Sequence, residues 1–142
     1  MSHHILVVED EPDINKTVSY NLANEGFHPV SALNLKEADD QLSSNNISLI
    51  ILDLMLPDGS GLDFCKTLKS SNIYKNIPII IVTAKGDEVD KVVGFELGAD
   101  DYVTKPFSVR ELMLRIKAIL KRNTQERNSN SSTVFTLSLI HI

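Results

Sequence analysis

Residues 49–52 are Leu-Ile-Ile-Leu and are followed by Asp53, so an unbroken apolar run ends in a carboxylate. Two other runs, Ile5–Val8 and Ile79–Val82, have the same character. Neighbouring side chains of a strand point to opposite sides of a sheet, so successive apolar residues indicate a strand buried on both faces. Strands of this kind are typical of parallel sheets that helices cover on both sides. The run before Asp53 therefore indicates the fold class.

Short apolar runs alternate five times with segments of helical periodicity, which indicates strand–helix units around a parallel sheet. The five strands are expected at Ile5–Val8, His28–Ala32, Leu49–Leu52, Ile79–Val82 and Tyr102–Val103. The five helices are expected around the apolar stripes Ile14, Val18 and Leu22; Leu35, Ala38 and Leu42; Leu62, Cys65 and Leu68; Val89, Val92 and Val93; and Val109, Leu112, Met113, Ile116, Ile119 and Leu120. We predict a flavodoxin-like, doubly wound α/β protein with strand order 2-1-3-4-5.

Polar residues mark the starts of two predicted helices. Asn34 stands three residues before Glu37, and Ser108 stands three before Glu111. This spacing suits a capping box, in which each side chain accepts a hydrogen bond from the other residue's backbone N–H. Glu111 therefore has a structural interpretation beside any other that it is given.

The 142 residues fit one domain and leave a short remainder. We divide the chain into a folded domain over residues 1–122 and a polar linker over residues 123–133, which has no hydrophobic stripe to offset its ordering entropy. Residues 134–142 are apolar again. They are expected to begin a following effector domain or to form a tail docked on the first domain.

Composition argues against several classes of protein. The formal net charge of −5 is the wrong sign for a nucleic-acid-binding surface within these residues. No apolar run approaches the roughly 20 residues of a membrane span, and no signal-peptide pattern is present. The single cysteine, Cys65, fits a reducing compartment, so we expect a cytoplasmic protein that does not associate with membranes.

Acidic and phosphate-binding residue types end four of the predicted strands. Glu9 and Asp10 follow the first strand, Asp53 follows the third, and Thr83 and Lys105 stand at the ends of the fourth and fifth. Ligands of open α/β sheets bind at the carboxyl ends of the strands. Three converging carboxylates repel one another, and Mg²⁺, which prefers oxygen ligands, would relieve that repulsion. The set therefore predicts a magnesium site with Asp53 as a phosphoryl acceptor.

Four motifs carry a resemblance to a known family: Ile5-Leu-Val-Val-Glu-Asp-Glu11, Leu52-Asp-Leu-Met-Leu-Pro-Asp-Gly-Ser-Gly61, Val82-Thr-Ala84 and Gly98-Ala-Asp-Asp-Tyr-Val-Thr-Lys-Pro-Phe107. In this order and spacing, the chain from about Ile5 to Arg122 resembles the receiver domain of two-component response regulators. That resemblance implies a phosphorylation-dependent signalling switch, with self-phosphorylation but no turnover of an external substrate. Met55 and Lys85, two residues after Asp53 and Thr83, place no carboxylate or amide near the acceptor to activate water, which predicts slow loss of the phosphoryl group.

The resemblance also implies roles for single residues. Asp10 and Asp53 would bind Mg²⁺ directly, Glu9 largely through water, and Met55 through its carbonyl. Thr83 and Lys105 would bind the phosphoryl oxygens, Tyr102 would move between exposed and buried rotamers, and the Lys105–Pro106 peptide would be cis. The phosphoryl group would come from a histidine of a partner sensor kinase.

A mixture of charges on the fourth helix, fifth strand and fifth helix is similar to the two-fold dimer face of the OmpR/PhoB subfamily. The residues are Lys91, Glu96, Asp100, Asp101, Glu111, Arg115 and Arg122. Taken from the residues alone, they could equally be a solvated surface. The resemblance implies a homodimer on phosphorylation, and DNA binding through a C-terminal winged-helix domain that these residues do not include.

Two other functions stay open. Phosphatases of the haloacid dehalogenase type also place a nucleophilic Asp after an apolar strand, but they have a second Asp two residues later, where this chain has Met55. A stand-alone receiver or phosphorelay intermediate, acting by protein–protein contact, would have the same pocket without a DNA-binding domain. Neither a Walker-type glycine loop nor a dinucleotide fingerprint is present, which argues against a nucleotide enzyme.

Overall fold

The computed structural model describes residues 3–84 and 98–132, with side chains described as far as Asn123. Its seven strands are β1 (His4–Val8), β2 (His28–Ala32), β3 (Ile47–Asp53), β4 (Met55–Leu56), β5 (Gly59–Ser60), β6 (Ile79–Ala84) and β7 (Asp101–Lys105). Its four helices are α1 (Pro12–Asn24), α2 (Leu35–Ser44), α3 (Gly61–Lys69) and α4 (Val109–Ser132). The predicted helix around Val89, Val92 and Val93 lies outside the described residues.

The main sheet has five strands in the order β2-β1-β3-β6-β7, and every neighbouring pair is parallel. The predicted α/β class and parallel sheet are confirmed. The predicted order 2-1-3-4-5 is found once β4 and β5 are left out of the count. These two strands form a separate antiparallel pair of two residues each, which the sequence analysis missed. Four of the five predicted helices lie in the described part.

Helices cover both faces of the sheet, as the apolar runs predicted. Leu6 and Val8 of β1 pack with the α2 and α3 side, in a core that includes Ala38 and Cys65. Ile5 and Val7 face the other way, in a core with the α1 and α4 residues Val18, Leu22, Leu112, Met113, Ile116, Ile119 and Leu120. Burial on both faces fixes the strands, and therefore the positions of the residues at their ends.

The predicted capping signals are satisfied in part. The Asn34 side chain accepts from Glu37 N at 2.8 Å, while the Glu37 carboxylate accepts from Leu33 N at 2.9 Å, one residue before the cap. The Ser108 hydroxyl accepts from Glu111 N at 3.3 Å. The Glu111 carboxylate accepts from the Arg115 side chain instead. Glu111 thus takes part in the start of α4 through its backbone N–H and in an ion pair through its side chain.

The C-terminal helix extends beyond the point where a linker was expected. α4 continues to Ser132, whereas we expected helical structure to end near Arg122. A helix is costly to start but cheap to extend, and the part from Val109 to Leu120 is held by core packing. No Gly or Pro interrupts α4. Residues 123–132 are thus helical, and their role as a linker stays a proposal.

Candidate acidic phosphoryl-acceptor pocket

Four parallel strands bring their carboxyl ends to one edge of the sheet. Val8 pairs with Leu52, Asp53 with Val82, and Thr83 with Thr104. The residues that follow or end these strands are therefore neighbours across the sheet edge. They are Glu9, Asp10, Asp53, Thr83 and Lys105.

Lys105 lies between two buried carboxylates. Its Nζ is 2.9 Å from Glu9 Oε1 and 3.1 Å from Asp53 Oδ2. Glu9 and Asp53 are each only 4% exposed, which is rare for acidic residues without a partner. We call Lys105, Glu9 and Asp53 the pocket triad. The spacing of the ammonium and the carboxylates supplies the charge-assisted hydrogen bonds that this burial requires.

A third carboxylate completes an acidic cluster. Glu9, Asp10 and Asp53 each offer an oxygen, and these atoms lie within 4.8 Å of one another. Carboxylate oxygens in such a cluster are the ligands that Mg²⁺ prefers. Three carboxylates facing one ammonium also leave an excess of negative charge that a divalent cation would balance. The donor set therefore fits the predicted metal.

Backbone N–H groups hold the two buried carboxylates in place. Met55 N donates to Asp53 Oδ1 at 3.2 Å, and Glu11 N donates to Glu9 Oε2 at 3.1 Å. One Asp53 oxygen thus accepts from the backbone and the other from Lys105. The Asp53 carboxylate is therefore held in one orientation by groups of the protein itself.

Burial changes the protonation of the pocket. Burial of Glu9 raises its pKa from 4.5 to about 7, against the lowering effect of its hydrogen bond to Lys105. Burial acts to lower the pKa of Lys105, but hydrogen bonds to Glu9 and Asp53 outweigh it and the pKa is raised. Lys105 therefore remains a cation across the neutral range, while Glu9 can exchange a proton there.

The backbone at Gly61 passes close to the backbone of Asp53 and Leu54. A Cβ atom on Gly61 would lie 2.5 Å from the Asp53 carbonyl oxygen and 2.8 Å from Leu54 Cα. Gly61 N donates to Leu54 O at 3.0 Å, so this close approach is a hydrogen-bonded one. A side chain at position 61 would push α3 away from the residues that carry Asp53. Glycine is required here by space rather than by its backbone angles.

The structure also describes the other residues that were predicted for the site. Thr83 is buried near the end of β6, and Tyr102 is buried in the core on the α2 and α3 side. The Met55 side chain is 73% exposed. The Lys105–Pro106 peptide bond is cis. The structure describes one position of Tyr102, so its movement stays a prediction.

The predicted dimer face is described in part. Arg115 donates to both oxygens of Asp101, at 2.7 and 2.8 Å, and to Glu111 at 2.8 Å; we call these three residues the surface triad. Arg122 is exposed. Asp100 is engaged elsewhere in the same chain, where its carboxylate accepts from Ile79 N at 2.9 Å. Lys91 and Glu96 lie outside the described residues.

Asn15, a buried polar residue beside the pocket, was not predicted from the sequence. Asn15 is 3% exposed, and its amide donates to the backbone carbonyls of Glu9 and Ala32 at 3.0 and 3.2 Å. Its carbonyl accepts from Ser31 Oγ at 2.7 Å. Asn15 thereby fixes the chain that leads into the acidic cluster. The available signal was a polar residue next to the apolar stripe of α1.

Comparison with curated proteins identifies close relatives of the chain. Residues 5–117 match the response regulator receiver domain family. The phosphate regulon transcriptional regulatory protein PhoB of Escherichia coli (strain K12) is 49% identical over 122 residues, which are 86% of this chain and 53% of PhoB. The chain therefore spans about half the length of this curated relative.

Solved structures agree with that match. A response regulator from Chloroflexus aurantiacus J-10-fl has a TM-score of 0.80 at 35% identity, over 85% of this chain and 99% of that one. The receiver domain of TorR, from the TMAO respiratory system, has a TM-score of 0.79 at 38% identity, over 84% and 98% of the two chains. The prediction made from the motifs is confirmed: the chain belongs to the response regulator receiver domain family and is of the OmpR/PhoB type.

Proposed function

We propose that Asp53 accepts a phosphoryl group from a histidine of a partner sensor kinase, and that this modification switches the protein between two functional states. The observation that carries the proposal is the pocket triad. Lys105 Nζ bridges two buried carboxylates at 2.9 and 3.1 Å, with the Asp10 carboxylate alongside. A nucleophilic carboxylate, a fixed cation and oxygen ligands for a metal are what transfer to an aspartate requires.

We propose that Mg²⁺ binds with Asp10 and Asp53 as direct ligands, Glu9 acting largely through water, and the Met55 carbonyl as a further ligand. The cluster of carboxylate oxygens within 4.8 Å supports this assignment. When bound, the ion would neutralise charge on the transferred phosphoryl oxygens. Removal of divalent metal with a chelator is expected to stop phosphorylation of Asp53.

In the transfer step, a carboxylate oxygen of Asp53 attacks phosphorus and forms a P–O bond. The P–N bond of the phosphohistidine breaks, and the leaving imidazole nitrogen keeps the electron pair and takes up a proton. Lys105 and the hydroxyl of Thr83 would bind the phosphoryl oxygens as charge develops. Because Lys105 stays protonated, its charge is available throughout the neutral range.

The residue type at position 55, two residues after Asp53, supports a switch rather than an enzyme. Met55 stands there with an exposed apolar side chain that has no group able to activate water. We therefore expect the phosphoryl state to persist long enough for regulation, and external phosphate esters not to be turned over. A half-life of seconds for the phosphorylated protein would contradict this expectation.

We propose that the phosphoryl donor docks in a groove beside Lys105. It has a volume of about 470 Å³ and lies between α1 and the chain after β7, lined by Ile14, Thr17, Lys105, Pro106 and Phe107 among others. A partner seated there would bring its histidine next to the pocket triad. A bulky Thr17→Arg substitution should slow transfer from the kinase and leave phosphorylation by a small phosphodonor unchanged.

We propose that phosphorylation shifts the population towards a homodimer formed by the face that holds the surface triad, Asp100 and Arg122 together with Lys91 and Glu96. Leu114 supports this face, since it is 58% exposed and lies three residues after Glu111 on α4, about one helical turn away. It was not predicted from the sequence. In a two-fold contact the same surface of both copies meets, so acidic residues of one copy can pair with basic residues of the other across the axis. In the full-length protein, the dimer would regulate transcription through a C-terminal DNA-binding domain.

The direct test treats the protein with acetyl phosphate and Mg²⁺ and follows intact mass and sedimentation. The parent is expected to gain one phosphoryl group and to dimerise, whereas Asp53→Asn should do neither. If the parent protein gained no phosphoryl group, the proposal would be refuted. Phosphate without dimerisation would favour the alternative, a stand-alone receiver or phosphorelay intermediate.

The cellular setting stays a prediction. None of the helices in the described residues is long and apolar enough to cross a membrane. The cytoplasmic assignment rests on the single cysteine, and Cys65 is buried in the core, where a thiol commonly serves for packing. Fractionation of cells that express the full-length protein would check this assignment.

A further inference from the structure

Asp58 joins the loop after the acceptor strand to a helix that is distant in sequence. Its two carboxylate oxygens accept hydrogen bonds from Leu35 N at 2.9 Å and from Lys36 N at 3.1 Å. These are the first two N–H groups of α2, and Asn34 accepts from the third, Glu37 N, at 2.8 Å. The start of α2 is thus shared between its own cap and a carboxylate from the loop.

The charge of Asp58 suits this position. The hydrogen bond from Leu35 N is the main cause of a lowered pKa for the Asp58 carboxyl, so the group is a carboxylate at neutral pH. An anion at a helix N-terminus also interacts favourably with the helix dipole. The contact therefore combines two hydrogen bonds with a favourable charge at the start of α2.

The anchored loop is the one that holds the proposed metal ligand. Met55–Leu56 and Gly59–Ser60 form a two-residue ladder, with Pro57 and Asp58 at its turn. A two-stranded hairpin is marginally stable alone. Neither neighbour of Asp58, Pro57 or Gly59, has a side-chain oxygen that could accept in its place. A Cβ on Gly59 would lie 2.9 Å from Leu35 Cδ1, so the loop also packs closely against α2.

From these contacts we infer that Asp58 is a positioning residue for the metal site: by fixing the hairpin on α2, it holds the Met55 backbone in register with Asp53. Met55 carries both the proposed carbonyl ligand and the N–H that orients Asp53 at 3.2 Å. Asp58 itself does not act as a ligand. The inference rests on the proposed function, because it assumes that Mg²⁺ binds beside Met55.

The experiment compares four proteins: the parent, Asp58→Ala, Asp58→Asn and Asn34→Ala. Asn34→Ala is the matched control, since it removes a cap from the same helix start without touching the hairpin. Mg²⁺ dissociation constants are measured by calorimetry and thermal midpoints by calorimetric scanning. We expect roughly tenfold weaker Mg²⁺ binding for Asp58→Ala, at the lower end of the loss on removing an outer-shell partner of a metal site.

The control variants separate positioning from stability and charge. Asn34→Ala should lower the thermal midpoint to a similar extent but keep the parent's Mg²⁺ affinity. Asp58→Asn keeps one acceptor oxygen and should recover part of the affinity. In the metal-free proteins, hydrogen exchange at the Met55 amide should accelerate in Asp58→Ala and not in Asn34→Ala.

Three results would overturn the inference. They are equal Mg²⁺ affinity in the parent and Asp58→Ala, equal losses in Asp58→Ala and Asn34→Ala, and an Asp58→Asn variant as weak as Asp58→Ala, which would indicate a charge effect alone. If the parent itself failed to bind Mg²⁺, the proposed function would fail as well. That outcome is distinct, because it appears before any variant is compared.

Discussion

The pocket triad and the surface triad have the same composition, a cation between two carboxylates, but opposite surroundings. Both carboxylate side chains of the pocket triad are 5% exposed, whereas those of the surface triad are 23% and 57% exposed. Excluding water strengthens charge interactions and also raises the cost of any charge left without a partner. Burial therefore links the pocket triad to protonation and ligand binding, while the surface triad can exchange its partners at little cost.

The pKa values express the same contrast. In the pocket triad, burial is the main cause that raises the pKa of Glu9 to about 7. In the surface triad, the main effect on the pKa of Arg115 is its hydrogen bond to Asp101, which raises it. A proton equilibrium in the neutral range is thus a property of the pocket, and a permanent charge is a property of the surface.

Removing the cation from each triad should give the largest difference. We expect Lys105→Met to slow phosphorylation by acetyl phosphate about 10²–10³-fold, as loss of one charge-stabilising donor does. Metal-free Lys105→Met should also be about 2–3 kcal/mol less stable, less than a broken fully buried pair because Glu9 can take up a proton. Phosphorylation kinetics and urea unfolding measure the two effects.

Arg115→Met is the control for this substitution, because it removes the cation of the surface triad and leaves the pocket intact. Its phosphorylation rate should equal that of the parent. Equal rates in Lys105→Met and the parent would contradict the role given to the pocket triad.

The backbone around the pocket offers a second test. Gly61→Ala places a Cβ against the Asp53 carbonyl and Leu54, and we expect a loss of about 3 kcal/mol, at the upper end for overpacking, together with slower phosphorylation. Gly26→Ala is the control, since Gly26 has a φ of 90° but open space around it. It should cost about 1 kcal/mol from backbone strain and leave phosphorylation unchanged. Unchanged kinetics in Gly61→Ala would refute the close fit at Asp53.

The pH dependence of stability should also separate the triads. The folded protein binds the Glu9 proton more tightly than the unfolded chain, so the resulting stabilisation is complete below pH 4.5 and is lost as the pH rises through about 7. For the metal-free protein we expect a decrease of about 2 kcal/mol, less than the full conversion of the shift because water at the pocket mouth screens the charge.

Glu9→Gln should remove this decrease, and Glu111→Gln should preserve it. Urea unfolding at a series of pH values measures both variants. A Glu9→Gln profile parallel to that of the parent would contradict the assignment. Mg²⁺ affinity of the parent should increase over the same pH range, because a proton on Glu9 competes with the metal.

The smallest effect is expected at the surface triad. Arg115→Gln should lower stability by about 0.5–1 kcal/mol at low salt, since exposed ion pairs contribute little, and the difference should vanish in high salt. Unfolding at two salt concentrations measures this change. A loss that persists in high salt would mean that the surface triad is less accessible to ions than its exposure indicates.

Much of the fold could be predicted because it depends on local pattern. The buried run before Asp53 and its counterparts required a covered parallel sheet, and the sheet placed Glu9, Asp53 and Lys105 at one edge. Patterns of this kind repeat over a few residues, so they can be read without knowing the tertiary structure. The caps at Asn34 and Ser108 were also predicted from a local pattern, the three-residue spacing to Glu37 and Glu111.

The features that were missed depend on contacts between distant parts of the chain. The bonds from Asp58 span more than 20 residues, and Asn15 joins α1 to carbonyls at the ends of two strands. Neither partner can be read from spacing. The extension of α4 to Ser132 was missed for another reason: polar residues were taken to be unable to stay ordered, although a packed helix can continue through them.

Strand β7 connects the two triads over a short length of backbone. It begins at Asp101, in the surface triad, and ends at Lys105, in the pocket triad. At about 3.3 Å per residue, the two ends are separated by only about 13 Å. Among the residues that the structure describes, β7 is also the edge strand of the main sheet, next to β6. A displacement of Lys105 could thus reach the outer surface along one short, stiff piece of backbone, without a relay of side chains.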